Sequence, residues 1–182
     1  MTTHTIPTDR SGQSNLPQGI EQAHTLIINV EDRPGAVDRV IGLLRRRRAN
    51  MQTFVLGRSE QPEIVRITVV VNDSEVALEH LVEQMRKIVD VQQVTNLVSS
   101  QTIAREIALI KLNSTFDTVH EIVEHAHLFG AHVVDMTPET VTVEVTGSEE
   151  KIEKLTALLQ AYGIREIARS GRVAMARGAG EE

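Results

Sequence analysis

Apolar positions along this chain switch between a period of two and a period near 3.6, and the order of the switches predicts its elements. Ala23, Leu26, Ile28 and Val30 follow an extended pattern, with alternation over 25–31, and Val37, Val40, Ile41 and Leu44 then fall at helical spacing. Two extended apolar runs come next, Met51 to Gly57 and Ile64 to Val71. Leu78, Leu81, Val82, Met85 and Ile88 mark a second helix, and Val91 to Val98 reads as a closing strand. The same order then starts again. Ile107 to Leu112 is a strand, and Val119, Ile122, Val123, Ala126 and Phe129 form a helical stripe. His132 to Met136 and Val141 to Val145 are strands, Ile152, Leu155, Leu158 and Leu159 mark a helix, and Ile164 to Ala168 is the last strand.

Each half is therefore a βαββαβ unit of roughly 70 to 80 residues, and the fold class is α+β, two tandem ferredoxin-like units. Helices cover one face of each sheet. The other face is apolar at alternate residues of Val65 to Val71, which predicts cover by a second sheet or another subunit, and hence oligomerisation. The expected division is a disordered N-terminal tail over 1–22, a first domain over 23–98, a polar linker over 99–105, a second domain over 106–172 and a C-terminal tail over 173–182.

Composition removes several function classes. The 182 residues are 41% hydrophobic, enough for two small cores, and contain no cysteine, which excludes disulfides, thiolate nucleophiles and cysteine-based metal sites. A net charge of −6 with one short basic cluster, Arg45 to Arg48, argues against a nucleic-acid partner. No stretch approaches the roughly 20 apolar residues of a membrane span, and residues 1–22 lack the apolar segment of a secretory signal, so cytoplasmic residence is expected. No glycine-rich phosphate loop and no nucleophile with an obvious base is visible, so the chain is expected to be non-catalytic.

Candidate binding chemistry concentrates in Glu31-Asp32-Arg33-Pro34-Gly35-Ala36, where the first strand gives way to the first helix. Asp32 is placed to cap the helix, Pro34 presets φ at its entry, and Gly35 lets a small anion approach unpaired backbone N–H groups. A plain strand-to-helix turn explains the same residues. The second half places Asn113-Ser114-Thr115-Phe116 at the equivalent point and lacks Pro-Gly, so the opening is a property of one copy rather than of the fold.

Seven stretches in order carry a family resemblance: Val30 to Ala36, Arg39 to Leu44, Ala49 to Thr53, Lys87 to Val91, Arg105 to Lys111, Val134 to Glu139 and Gly163 to Gly171. Over roughly 25–178 the chain resembles the small regulatory subunits of acetolactate synthase, whose first half is an ACT domain, the amino-acid-sensing form of the ferredoxin-like fold. The resemblance implies a homodimer through ACT domains, with valine, leucine or isoleucine bound between them as feedback effector. It also implies a partner, the catalytic subunit, which the small subunit activates and which alone would carry thiamine diphosphate, magnesium and FAD. By resemblance, Gly35 and Ala36 hold the effector carboxylate, Asp32 and Asn50 its ammonium and polar end, and Val37 and Met51 its apolar side chain. The chain departs from the family pattern in Arg48-Ala49 before Asn50, where a glycine and an aromatic are usual. The Gly163 to Gly171 stretch is, by resemblance alone, a candidate contact with the catalytic subunit.

Histidines suggest a competing reading. His120, Glu124 and His127 share a helix face with divalent-metal spacing, but they lie opposite the apolar stripe, and a solvated face explains them without a ligand. A free-standing ACT-type sensor of another enzyme and a metal-responsive regulator are the alternatives.

Overall fold

The computed structural model describes residues 22–178; the expected tail over 1–22 lies outside these, except that Gln22 already opens the first strand. The first half runs β1 (Gln22–Glu31), α1 (Ala36–Arg46), β2 (Asn50–Arg58), β3 (Ile64–Asp73), α2 (Glu75–Met85) and β4 (Val91–Leu97). The second runs β5 (Thr102–Asn113), α3 (Val119–Leu128), β6 (His132–Met136), β7 (Thr140–Gly147), α4 (Glu149–Leu159) and β8 (Ile164–Arg169), followed by β9 (Val173–Ala176). Sheet orders are β2-β3-β1-β4 and β6-β7-β5-β8, the same antiparallel topology twice. The α+β, ferredoxin-like expectation holds.

Two cores form, one per sheet. Leu26, Ile28 and Val30 of β1 and Ile67, Val69 and Val71 of β3 face α1 and α2, because alternate residues of a strand share a face. Ile110 and Leu112 of β5 and Val141, Val143 and Val145 of β7 do the same beneath α3 and α4. Full burial of each such side chain stabilises by roughly 1.5–3 kcal/mol before entropy is counted. Helix starts repeat as well: Ser74 Oγ accepts from the Ala77 N–H at 3.4 Å and Ser148 Oγ from the Lys151 N–H at 3.3 Å, each capping the second helix of its half.

Two expectations about connections need correction. The polar stretch expected as a linker over 99–105 is a one-turn 3₁₀ helix, Ser99–Gln101, followed by the first residues of β5. Residues expected in a C-terminal tail include β9, which pairs with Thr102 to Arg105 of β5. The first segment is short and mostly polar, the second is only four apolar residues, and neither is long enough to show a period; long-range pairing orders them. The ribbon so formed packs near the open face of the first sheet. Arg66 Nη2 on that face donates to the Ala174 carbonyl at 2.9 Å, and a Cβ built on Gly171 would lie 2.8 Å from Val55 Cγ2. Thr25, Ile27, Thr68 and Val70 on this face are all buried. The cover expected from a second sheet or subunit thus comes at least partly from the same chain.

Candidate functional site

The turn after β1 is held by backbone bonds. Asp32 N–H donates to the Glu63 carbonyl at 2.7 Å, Arg33 N–H to Glu31 at 2.8 Å and Ala36 N–H to Arg33 at 3.1 Å. Gly35 is the N-cap of α1 with φ 82° and ψ −5°, a left-handed conformation that glycine adopts at little cost. No side chain caps this helix. The expectation that Asp32 caps α1 is therefore corrected: the carboxylate is exposed, and glycine in the left-handed region turns the chain before Asp32 can reach. Ala36 is corrected likewise, because its N–H is already spent on the turn. Among the described residues, the N–H groups of Gly35, Val37 and Asp38 find no acceptor, and these are the ones open to an anion.

A half-buried ion pair stiffens this opening. Arg39 Nε donates to Asp90 Oδ2 at 2.5 Å, and Asp90 is buried while its carbonyl accepts from Glu31 N–H at 2.9 Å. The Arg39 guanidinium holds the Asp90 carboxyl below the usual carboxylate range, outweighing the opposing effect of desolvation. Asp90 thereby ties the end of β1, the first turn of α1 and the approach to β4 to one point.

Asn50 and Met51 sit elsewhere. Asn50 pairs with Asn72 near the end of β3, and Ala23 near the start of β1 pairs with that same residue, whereas Gly35 follows the opposite end of β1. The 11 residues of α1 alone separate the two places by about 16 Å. Asp32, Gly35, Ala36 and Val37 are thus brought together, Asn50 and Met51 are brought together, and one chain does not join the groups. Asn50 is exposed and Met51 42% exposed, as befits a half-site. Arg45 and Arg46 lie in the last turn of α1, where cations are favoured, and Arg48 takes the left-handed φ of 52° that reverses the chain into β2.

The equivalent entrance in the second half is differently built. Thr115 and Thr118 fill it: Thr118 Oγ1 accepts from Thr115 N–H at 2.9 Å and Thr115 Oγ1 from Thr118 N–H at 3.3 Å, with Phe116 and Asp117 projecting into solvent. His120, Glu124 and His127 are exposed on α3, and among the described residues no three histidine or carboxylate side chains converge as metal ligands. His125 instead contacts Tyr162, whose hydroxyl lies 3.1 Å from His125 Nδ1 and donates to Glu121 Oε2 at 3.1 Å.

Sequence reasoning missed the seam between the halves. A cavity of 540 Å³ opens there, bordered by Thr53 and Phe54 of β2 and by Arg169 to Arg172, with ion pairs from Arg169 to Glu106 and from Arg172 to Glu149. The Ser-Gly pair at 170–171 was the available signal, a turn motif whose glycine has φ 78° and presses on β2.

Comparison with known proteins agrees with this architecture. Residues 26–93 match the AHAS small subunit-like ACT domain and residues 105–178 match the family described as small subunit of acetolactate synthase. The acetolactate synthase small subunit of Mycolicibacterium smegmatis is 41% identical over 155 residues, 85% of this chain and 91% of that one. A probable acetolactate synthase small subunit of Methanothermobacter thermautotrophicus is 37% identical, covering 85% and 93%. The crystal structure of the Thermotoga maritima small subunit superposes with a TM-score of 0.80 at 31% identity, covering 86% of this chain and 98% of that one. With two consecutive family matches, relatives aligned over most of their length and the same fold in a solved small subunit, the chain belongs to the acetolactate synthase small-subunit family.

Proposed function

We propose that this chain is a cytoplasmic regulatory subunit that activates a thiamine-diphosphate-dependent acetolactate synthase catalytic subunit and subjects it to feedback by valine or another branched-chain amino acid. Thiamine diphosphate, magnesium and FAD belong to that partner in this reading, and the present chain supplies no reacting group. The observation that carries the reading is the division of the candidate site between the two ends of α1. Gly35, Val37 and Asp38 offer free N–H groups at one end and Asn50 a polar side chain at the other, so a complete site needs two copies. The first sheet's β2 edge has no strand partner among the described residues, and Leu56 on that strand is 51% exposed. An isologous contact along β2 sets the start of one β2 beside the end of the other, which brings Gly35 of one copy toward Asn50 of its partner. An effector bound across that contact changes activation only by its differential affinity for the two arrangements of the pair, typically worth 1 to 3 kcal/mol.

Thermal unfolding and heat of binding with valine, leucine and isoleucine test this. At one hundred times its dissociation constant a ligand stabilises by about 2.7 kcal/mol, which is readily seen. Gly35→Asp and Asn50→Ala each remove the response. Mixing the two variants restores about a quarter of the sites if halves assort randomly, because each mixed dimer keeps one intact site. No stabilisation by any of the three amino acids removes the effector reading, and failure to raise catalytic-subunit activity removes the activator reading.

A further inference from the structure

A second surface, on the face of the first sheet opposite its helices, has the chemistry of a docking groove. It has a volume of 350 Å³ and lies where the open face of the first sheet meets the ribbon of β9 and the start of β5. Val55 of β2, Ile103 of β5 and Met175 of β9 form apolar walls. Ile103 and Met175 face each other in register yet remain 36% and 59% exposed, so neither is satisfied by the other. Arg58, Arg66 and Arg105 border the same groove, and its lining contains no carboxylate.

The arginines are what define the occupant. Arg39, Arg169 and Arg172 each have a carboxylate partner, whereas Arg58, Arg66 and Arg105 have none among the described residues. Arg66 is spent on the Ala174 carbonyl and Arg105 on its neighbour's carbonyl at 2.7 Å. Glu60 feels the charge of Arg66 only weakly, its carboxyl being lowered mainly by its own backbone and by Ser59. On a chain of net charge −6, three arginines without counter-charges around an apolar groove complement a segment that carries carboxylates on both sides of an apolar side chain.

We propose that this groove receives an acidic, apolar-bearing segment of the catalytic subunit; the identity of that partner rests on the reading above. A second copy is the poorer occupant, since the contact along β2 proposed for it uses the edge and the helix side, and the groove opens on the opposite face. The groove also takes walls from both halves of the chain. Its occupant therefore registers how the two halves are set, and β2, which contributes Val55 and Arg58, is the strand that begins at Asn50.

The test is direct binding of purified catalytic subunit to the full chain by calorimetry, at low and moderate salt, with the oligomeric state of each variant followed by sedimentation. Arg58→Glu combined with Arg105→Glu is expected to weaken binding at least about tenfold and to abolish most of its salt dependence. Gly57→Trp gives an uncharged block, because a Cβ at Gly57 meets nothing within 4 Å and the residue lies in an ordinary strand conformation. It is expected to weaken binding while leaving the unfolding midpoint unchanged. Wild-type affinity in both variants overturns the groove. A change in dimer mass with catalytic-subunit affinity retained overturns it in favour of a contact between copies. Absence of binding by the unaltered chain overturns the partner reading, and the groove assignment with it.

Discussion

The two halves of this chain share strand order, helix placement and serine caps, and differ at the entrance to the first helix and on the open face of the sheet. At α1 a left-handed glycine leaves three N–H groups unpaired; at α3 two threonine hydroxyls fill the turn. On the first sheet's open face Ile27 is 4% and Val70 1% exposed, whereas Ile107 and Leu109 on the second remain 37% and 40% exposed. The shared features are those a βαββαβ unit requires to bury its core. The differences are not needed for folding, and they coincide with the candidate binding surfaces.

The comparison is tested hardest in the cores. Ile28→Ala and Ile110→Ala remove equivalent central-strand side chains, and each is expected to cost about 2–5 kcal/mol in denaturant unfolding. Similar losses confirm that the halves are energetic equivalents; a loss confined to one half breaks the equivalence. Next in size is the seam. Gly171→Ala places a methyl 2.8 Å from Val55 at a positive φ and is expected to cost about 1–3 kcal/mol, while Gly57→Ala, with open space around it, is expected to change stability by less than about 0.5 kcal/mol. Equal effects would mean that the 170–176 segment does not press on β2.

Smaller still are the shared caps. Ser74→Ala and Ser148→Ala are each expected to lower stability by about 1 kcal/mol, and a marked difference between them would show that the second helices are not equivalent. The smallest and most conditional effect belongs to Asp90, which has no counterpart ion pair at α3 among the described residues. Its folded pKa lies below the unfolded value, so its contribution is complete above the unfolded carboxylate range and is lost as pH falls through the folded pKa. Asp90→Asn is therefore expected to destabilise at neutral pH, with the gap to the unaltered chain closing below about pH 4. A gap that persists unchanged in acid would remove Arg39–Asp90 as its cause.

Much was legible beforehand because it is periodic. Every strand and helix of the two units appears where alternation or helical spacing predicts it, with ends displaced by a few residues; Ile88, read as helical, lies beyond the end of α2 and packs on the core as a turn residue. β9 was not legible, since four residues carry no period and its ladder partner is some 70 positions away. Within the site, Gly35 was readable from turn chemistry. The failure of Asp32 to cap was not, because it depends on the φ that Gly35 adopts.

Sequence alone determined the two-unit α+β architecture, the family, and the difference between Pro-Gly and Thr-Phe at the two helix entrances, because these rest on local periodicity and on residue identity. Only the tertiary structure decided which N–H groups stay unpaired and that Gly35 and Asn50 lie at opposite ends of α1. It alone decided, too, that the chain's own last strand joins β5 beside the first sheet and leaves three arginines around an apolar groove. Those outcomes depend on pairings between residues distant in sequence, whose free energies are collected only once the whole chain has packed.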